Sequence, residues 1–199
     1  MTSPTDKPLS HACIIMASGS GTRFGGNKLM ANLAGMPLVE HVLRATEGHF
    51  AERVVVTRHV DVAQLARKTG ARAVVHDLPL RNEAVALGMD TLTCCDTVTF
   101  FQGDQPLVAA RTIDALLAAA ERDPGCIWRA SFRGQPGAPV LFPTWAFDAL
   151  RHLPPGKGGG YVAKTHPDHV RTVEAESPWE LFDIDTTDDL RKLQVHIAG

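Results

Sequence analysis

The residues best suited to chemistry gather in one run, Met16-Ala17-Ser18-Gly19-Ser20-Gly21-Thr22-Arg23-Phe24-Gly25-Gly26-Asn27-Lys28. Four glycines in eight residues let main-chain N–H groups close on an anion. Arg23 and Lys28 add positive charge, so the run describes a cradle for a polyphosphate. Two common phosphate motifs do not account for it. A Walker A loop places Lys directly after its last glycine, followed by Ser or Thr for Mg²⁺. Here Asn27 precedes Lys28 and Leu29 follows it. A dinucleotide fingerprint requires a third glycine where Phe24 stands. The candidate nucleotide contacts are Ala17, Ser18, Gly19, Ser20, Gly21, Arg23 and Lys28.

Carboxylates supply the second kind of chemistry. Asp104 follows the apolar run Val98–Phe101 and sits between Gly103 and Gln105-Pro106. A carboxylate at the tip of a buried strand, on the same edge as the glycine run, is placed to bind a hard cation. Asp183 and Asp185 lie two apart in Phe182-Asp183-Ile184-Asp185. In an extended segment they share a face and repel each other unless a cation lies between them. Asp188 and Asp189 fit the first turn of a helix begun at Thr186, where acids suit the macrodipole. His166 and His169 have ligand-like spacing, but Pro167 lies between them and no carboxylate completes a site, so they read as loop histidines. Cys13 reads as a buried small hydrophobe, and adjacent Cys94 and Cys95 match no zinc spacing.

The elements that must hold these groups are short and regular. Cys13–Ala17, Arg53–Thr57, Ala73–Val75 and Val98–Phe101 are continuous apolar runs, as in strands covered on both faces of a parallel sheet. Between and after them, Pro37–Glu47, Asp61–Thr69, Asn82–Leu92 and Ala109–Arg122 carry helical patterning with Pro, Asp, Asn and Gly near their ends. The alternation is that of an α/β fold with right-handed crossovers. Farther on, Cys126–Ser131, Ala138–Phe142, His169–Glu174 and Glu180–Ile184 read as strands. Thr144–Arg151 and Thr186–Leu193 read as helices, and Leu153–Gly160 as a mobile loop. With no repeat or linker, the expected organisation is one domain over 1–199, its nucleotide half near 11–108 and its acceptor half near 109–199.

Composition narrows the partners. The 199 residues carry 20 Lys plus Arg against 22 Asp plus Glu, a net charge of -2, which disfavours nucleic acid. No apolar run approaches a membrane span, and the polar start Met1–Ser10 has no signal-peptide core. A cytoplasmic protein without nucleic-acid or membrane partners is expected.

The pattern Ser18-Gly19-x-Gly21-x-Arg23-x-Gly25-Gly26-x-Lys28, followed by Leu33-Ala34-Gly35-Met36-Pro37-Leu38, resembles a nucleotidyltransferase signature. The family is the one that includes molybdenum cofactor cytidylyltransferase and guanylyltransferase, and the resemblance runs through nearly the whole chain. It implies a GT-A-like fold: three layers, α/β/α, with a mostly parallel, Rossmann-like central sheet. It implies Mg²⁺-dependent transfer of a nucleoside monophosphate from an NTP, CTP before GTP, to a small phosphorylated acceptor, molybdopterin foremost, with pyrophosphate released. Lys28, Arg23 and Asp104 become the catalytic residues. Asp104 also contacts the nucleotide and, with Asp183 or Asp185, holds the metal. Asn82 lies where relatives contact the base, and no Ser-rich version is present. Gly134–Phe142 resembles the acceptor-lining G-x-x-G-x-P-V-L-F, which makes Gly137 and Pro139 acceptor contacts, with Lys157 as a phosphate contact from the glycine-rich loop. The chain departs from the family at Ser18, usually Ala or Gly, and at Ala138, often His. A transient partner, a molybdoenzyme or cofactor-insertion chaperone, is also implied. The alternatives are a sugar-phosphate or methylerythritol-phosphate nucleotidyltransferase and a non-catalytic nucleotide-binding regulatory module.

Overall fold

The structure is a computed structural model that describes residues 7–19 and 21–198. The strands are β1 (His11–Ala17), β2 (Asn32–Leu33), β3 (Met36–Pro37), β4 (Glu52–Thr57), β5 (Arg72–Val75), β6 (Thr97–Gln102), β7 (Ile127–Phe132), β8 (Gln135–Pro143) and β9 (Val170–Glu174). The helices are α1 (Leu38–Ala45), α2 (Val60–Lys68), α3 (Arg81–Thr91), α4 (Ala110–Arg122), α5 (Phe147–Arg151), α6 (Gly160–Thr165) and α7 (Thr187–Ala198). Seven strands form one sheet in the order β5-β4-β1-β6-β8-β7-β9, and β2 pairs with β3 as a small separate hairpin. Only β8 runs against its neighbours in the large sheet. This is the expected mostly parallel α/β/α architecture.

Alternation along β1 builds both faces of the core. Cys13 and Ile15 join Val55, Phe101, Leu43, Val62 and Ile113 on the side covered by α1, α2 and α4. Ile14 joins Val56, Phe100, Met89, Phe142 and Leu150 on the side covered by α3 and α5. Each fully buried Ile or Leu contributes about 1.5–3 kcal/mol, which favours the apolar centres of β1, β4 and β6; β5, expected to be covered on both faces, is instead the edge strand and has no buried residue. Gly88 lets α3 settle closely on the sheet: a Cβ there would lie 3.0 Å from Val56 and 3.1 Å from Ile14. No helix of the described residues is long and apolar enough to cross a membrane.

A third apolar cluster fixes the far wall of the site. Leu33, Leu38, Ile184 and Leu193 are fully buried, with Phe24, Trp179, Phe182 and Leu190 packed on them. It ties the β2–β3 hairpin, α7 and the segment before α7 into one unit. The expected strand over Glu180–Ile184 is not formed. Pro178–Leu181 is a 3₁₀ turn, and 182–185 is irregular. The cause is Glu180, 3% exposed, whose carboxylate turns inward to accept from Ala109 N–H, Glu176 N–H and the Thr112 hydroxyl. The glycine-rich loop is also shorter than expected, because α6 begins at Gly160.

Candidate active site

The glycine run leaves the tip of β1 and folds back on itself. Gly21 has φ +61°, and the N–H groups of Phe24 and Gly25 donate to its carbonyl at 2.9 and 3.0 Å. A Cβ on Gly21 would lie 2.0 Å from the Gly26 carbonyl oxygen, so glycine is obligatory here. These later amides close the turn rather than face an anion, a correction to the idea that all four glycines present N–H groups. The anion-facing part is the earlier run. Gly19, Gly21, Thr22 and Arg23 border a crevice of about 190 Å³ with Lys28, Arg81, Asp104 and Asp185. Ser20, a candidate contact, lies outside the described residues.

Lys28 returns the chain to the crevice through a 3₁₀ turn at Lys28–Met30. Lys28 is 6% exposed, and its ammonium bridges two carboxylates, Asp104 Oδ2 at 2.6 Å and Asp185 Oδ1 at 2.9 Å. Arg23 Nη2 reaches the other oxygen of Asp185 at 3.0 Å. Burial alone would lower the Lys28 pKa, but its bonds to Asp104 and Asp185 outweigh that and hold it above the ordinary lysine value. The Lys28 hydrogen bond in turn holds the Asp185 carboxyl below the usual carboxylate range. Asp183 lines the cleft on the same side as Asp104 and Asp185. Partial loss of hydration, then the charge of Asp104, push its pKa up.

The backbone holds these acids together from distant parts of the chain. Ile184 N–H donates to the Asp104 carbonyl at 3.0 Å, and Gln105 Nε2 donates to the Leu181 carbonyl at 3.1 Å. Ile184 is buried between Asp183 and Asp185, which keeps both acids at the cleft. Their placement therefore comes from an apolar anchor rather than strand alternation. Thr186 and Asp189 cap α7 reciprocally, with Asp189 Oδ2 accepting from Thr186 N–H at 2.9 Å and Thr186 Oγ accepting from Asp189 N–H at 3.2 Å.

Hard carboxylate oxygens suit Mg²⁺, which commonly takes one or two protein carboxylates and completes its shell with phosphates and water. Among the described residues no three His, Cys, Asp or Glu side chains gather closely enough to cage a metal alone. Lys28 already lies between two carboxylates, and Asp183 is crowded by Asp104. This donor set fits a cation that arrives with a phosphate ligand.

Two clefts open from the crevice. One, of about 280 Å³, is bordered by Ala17, Ser18, Gly19, Lys28, His76, Leu80 and Arg81. Ser18 and His76 were not paired by any sequence signal. His76 Nδ1 accepts from Leu78 N–H at 3.1 Å, so Nε2 carries the proton and donates to Ser18 Oγ at 2.7 Å. The Ser18 hydroxyl passes the chain on to the Val56 carbonyl at 3.0 Å. Burial, then the charge of Arg58, hold the His76 pKa below its ordinary value against the opposing Asp77.

The other cleft, of about 800 Å³, is bordered by Asp104, Asp183 and Asp185 and by Gly137 and its neighbours on β7 and β8. Three expected contacts are corrected. Pro139 is buried within β8 and borders neither cleft. Asn82 accepts from Gly156 N–H at 2.8 Å and fastens the glycine-rich loop to α3, while its neighbour Arg81 borders both clefts. Lys157 lies in an outer groove with Arg81, Tyr161 and Lys164, beyond both clefts.

A twisted, mostly parallel sheet with a glycine turn, a buried lysine and converging carboxylates at one edge defines a nucleotide-handling α/β protein. Residues 13–170 match the MobA-like NTP transferase domain, and the chain belongs to that family. The chain is 37% identical over 119 residues to a 3-deoxy-manno-octulosonate cytidylyltransferase from Alkalilimnicola ehrlichii, covering 56% of this chain and 46% of that one. It thus spans about half the length of this relative, and less of the longer bifunctional relatives it also matches. A nucleotidyl transferase from Methanothermobacter thermautotroptrophicus superposes with TM-score 0.81 at 20% identity, over 95% of this chain and 98% of that one. A 4-diphosphocytidyl-2C-methyl-D-erythritol synthase from Anaerococcus prevotii superposes with TM-score 0.76 at 14% identity, over 96% and 99%. The likeness to these two structures is one of fold.

Proposed function

We propose that this protein is a metal-dependent nucleotidyltransferase that moves a nucleoside monophosphate, CMP first, from an NTP to an anionic acceptor. The observation that carries the reading is the chain of ion pairs Arg23–Asp185–Lys28–Asp104 at the mouth of β1 and β6. Cytidylyl transfer is the activity named for the Alkalilimnicola relative. The Alkalilimnicola relative, named for a sugar-acid acceptor, supports a sugar-derived or polyol phosphate acceptor ahead of molybdopterin. Molybdopterin stands as the second reading, supported by the MobA-like description of the family.

In this reading Gly19, Gly21 and Thr22 bind the triphosphate in the crevice, and the base enters the cleft beside Ser18, Leu80 and Arg81. The acceptor lies in the larger cleft. An acceptor oxygen attacks the α-phosphorus, the bond to the bridging oxygen breaks, and pyrophosphate leaves with that electron pair. A phosphomonoester is largely dianionic near neutral pH, since its second pKa is about 6, so no general base is needed. Asp104 with Asp183 or Asp185 would hold Mg²⁺, which supplies charge neutralisation on the phosphates. Lys28 is aimed at the crevice by its two carboxylates. It is free to follow negative charge onto the leaving group once those carboxylates take another cation. Arg23, on the exposed lip, closes over the triphosphate.

Pyrophosphate release tests the reading, measured across the four NTPs with Mg²⁺ and a panel of sugar, polyol and pterin phosphates. CTP-dependent release with a sugar or polyol phosphate is expected. Absence of CTP and GTP binding at millimolar concentration with Mg²⁺ present removes the proposal.

A further inference from the structure

The larger cleft holds two guanidinium groups that the chemistry above does not use. Arg129 is half-buried on β7, and Arg133 stands at the turn joining β7 to β8. Among the described residues neither guanidinium is paired with a carboxylate. Arg129 donates through Nε and Nη2 to the Gly137 carbonyl, at 3.3 and 3.1 Å. That uses two of its five N–H donors and leaves the rest unassigned. Burial lowers its pKa, yet an arginine remains charged at neutral pH.

The backbone is built to present this pair. The pairing of β7 with β8 shifts between Arg129 and Ser131, so β8 bulges at 137–139 and frees the Gly137 carbonyl that Arg129 holds. Arg133 and Gly134 occupy the two-residue turn with φ of +49° and +75°. Both positive angles match the tight type I′ hairpin turn, where glycine is easy and arginine is not. Arg133 folds back over the Phe132 ring, 5.2 Å from its centroid. Arg129, Phe132, Arg133 and Gly137 all border the cleft that contains Asp104 and Asp183.

We infer that Arg129 and Arg133 form a subsite for a second oxyanion, a phosphate or carboxylate, carried by the acceptor at a point remote from its attacking oxygen. The proposal rests on the nucleotidyltransferase reading for the word acceptor, but the anion site itself does not. β7 lies two strands across from β6. At about 4.8 Å per strand, the two charged ends of the acceptor are about 10 Å apart. The subsite selects acceptors that carry two anionic groups.

The test uses the full chain, labelled so that arginine Nε–H resonances are observed, titrated separately with inorganic phosphate and with acetate. Saturable shifts of the Arg129 and Arg133 signals are expected, and the anion with the tighter response names the group. Arg129→Gln and Arg133→Gln should each weaken that response at the other arginine by about tenfold or more, with CTP affinity unchanged. If Arg129→Gln does not fold, Arg133→Gln and the wild-type shifts carry the test. No saturable shift with either anion overturns the subsite. So does a parallel loss of CTP affinity, which would place both arginines with the nucleotide. Arginine shifts in a protein that fails to bind CTP would keep the subsite and remove nucleotidyl transfer instead.

Discussion

His76 donates its Nε2 proton to the hydroxyl of Ser18 at 2.7 Å, joining the loop after β1 to the end of β5. The link fixes one wall of the cleft bordered by Ser18, His76 and Arg81. It requires a neutral imidazole, because Nδ1 must accept from Leu78 N–H while Nε2 donates.

That requirement makes stability depend on acid. The folded-state pKa of His76 lies below the unfolded value of about 6.5. Above that value both states are neutral and the link is intact. As pH falls below it, the unfolded chain takes up a proton that the folded chain resists, and stability is lost through the folded pKa. Melting temperature should therefore fall, as pH drops below about 6.5, more steeply in wild type than in His76→Gln. Parallel acid limbs would remove His76 as the cause.

Lys28→Ala should lower kcat by about 10²–10³ while changing the KM for CTP far less. On the proposed reading the glycine turn supplies ground-state contacts without Lys28, and an interaction that strengthens only in the transition state appears in kcat. Steady-state kinetics at saturating acceptor separate the two. A raised KM with kcat intact would make Lys28 a plain binding residue.

Asp104→Asn should abolish turnover with the fold intact. The backbone carbonyl that receives Ile184 N–H is unchanged, and Asn keeps the side-chain shape. Circular dichroism with pyrophosphate release decides it, and wild-type turnover would reduce Asp104 to a partner for Lys28.

Glu180→Ala should destabilise the protein by about 1.5–3 kcal/mol, the worth of hydrogen bonds to a charged group. Its carboxylate serves Ala109, Thr112 and Glu176 at once and is 3% exposed. Activity should fall further than stability alone explains, since the 3₁₀ turn leads into Asp183 and Asp185. Denaturant unfolding and turnover measured on one preparation would show whether the two losses separate.

The parallel half of the sheet was legible because β1, β4, β5 and β6 are apolar runs punctuated by glycine and capped helices, signals local in sequence. The ion-pair centre was half legible. Arg23 and Lys28 stand out by composition and Asp104 by its place at a strand tip, but their joining with Asp185 spans 157 residues between Lys28 and Asp185. The Glu180–Ile184 segment misled because Leu181, Phe182 and Ile184 make it look like a short apolar strand, whereas Glu180 is drawn inward by donors at the start of α4 and at Glu176. Arg129 carried no signal, since an arginine within a strand commonly belongs to a solvated face. Pro139 matched a motif yet is buried within β8, because a pattern match does not reveal which way a β-bulge turns.

The single reversed strand, β8, carries a consequence for how this scaffold can change. Its start and the end of β7 emerge at the same rim as β6, so the wall that the proposed reading gives to the acceptor is a two-residue hairpin hydrogen-bonded into the sheet that bears the glycine turn. The two half-sites cannot swing apart like jaws, and the distance between them is set by strand count. Among the described residues the hairpin tip makes no hydrogen bond or ion pair with Arg23, Lys28 or Asp104, although it borders the same cleft as Arg23 and Asp104. On the proposed reading, new acceptors would be served by rewriting that tip as an interchangeable cassette, with the triphosphate crevice left as it is.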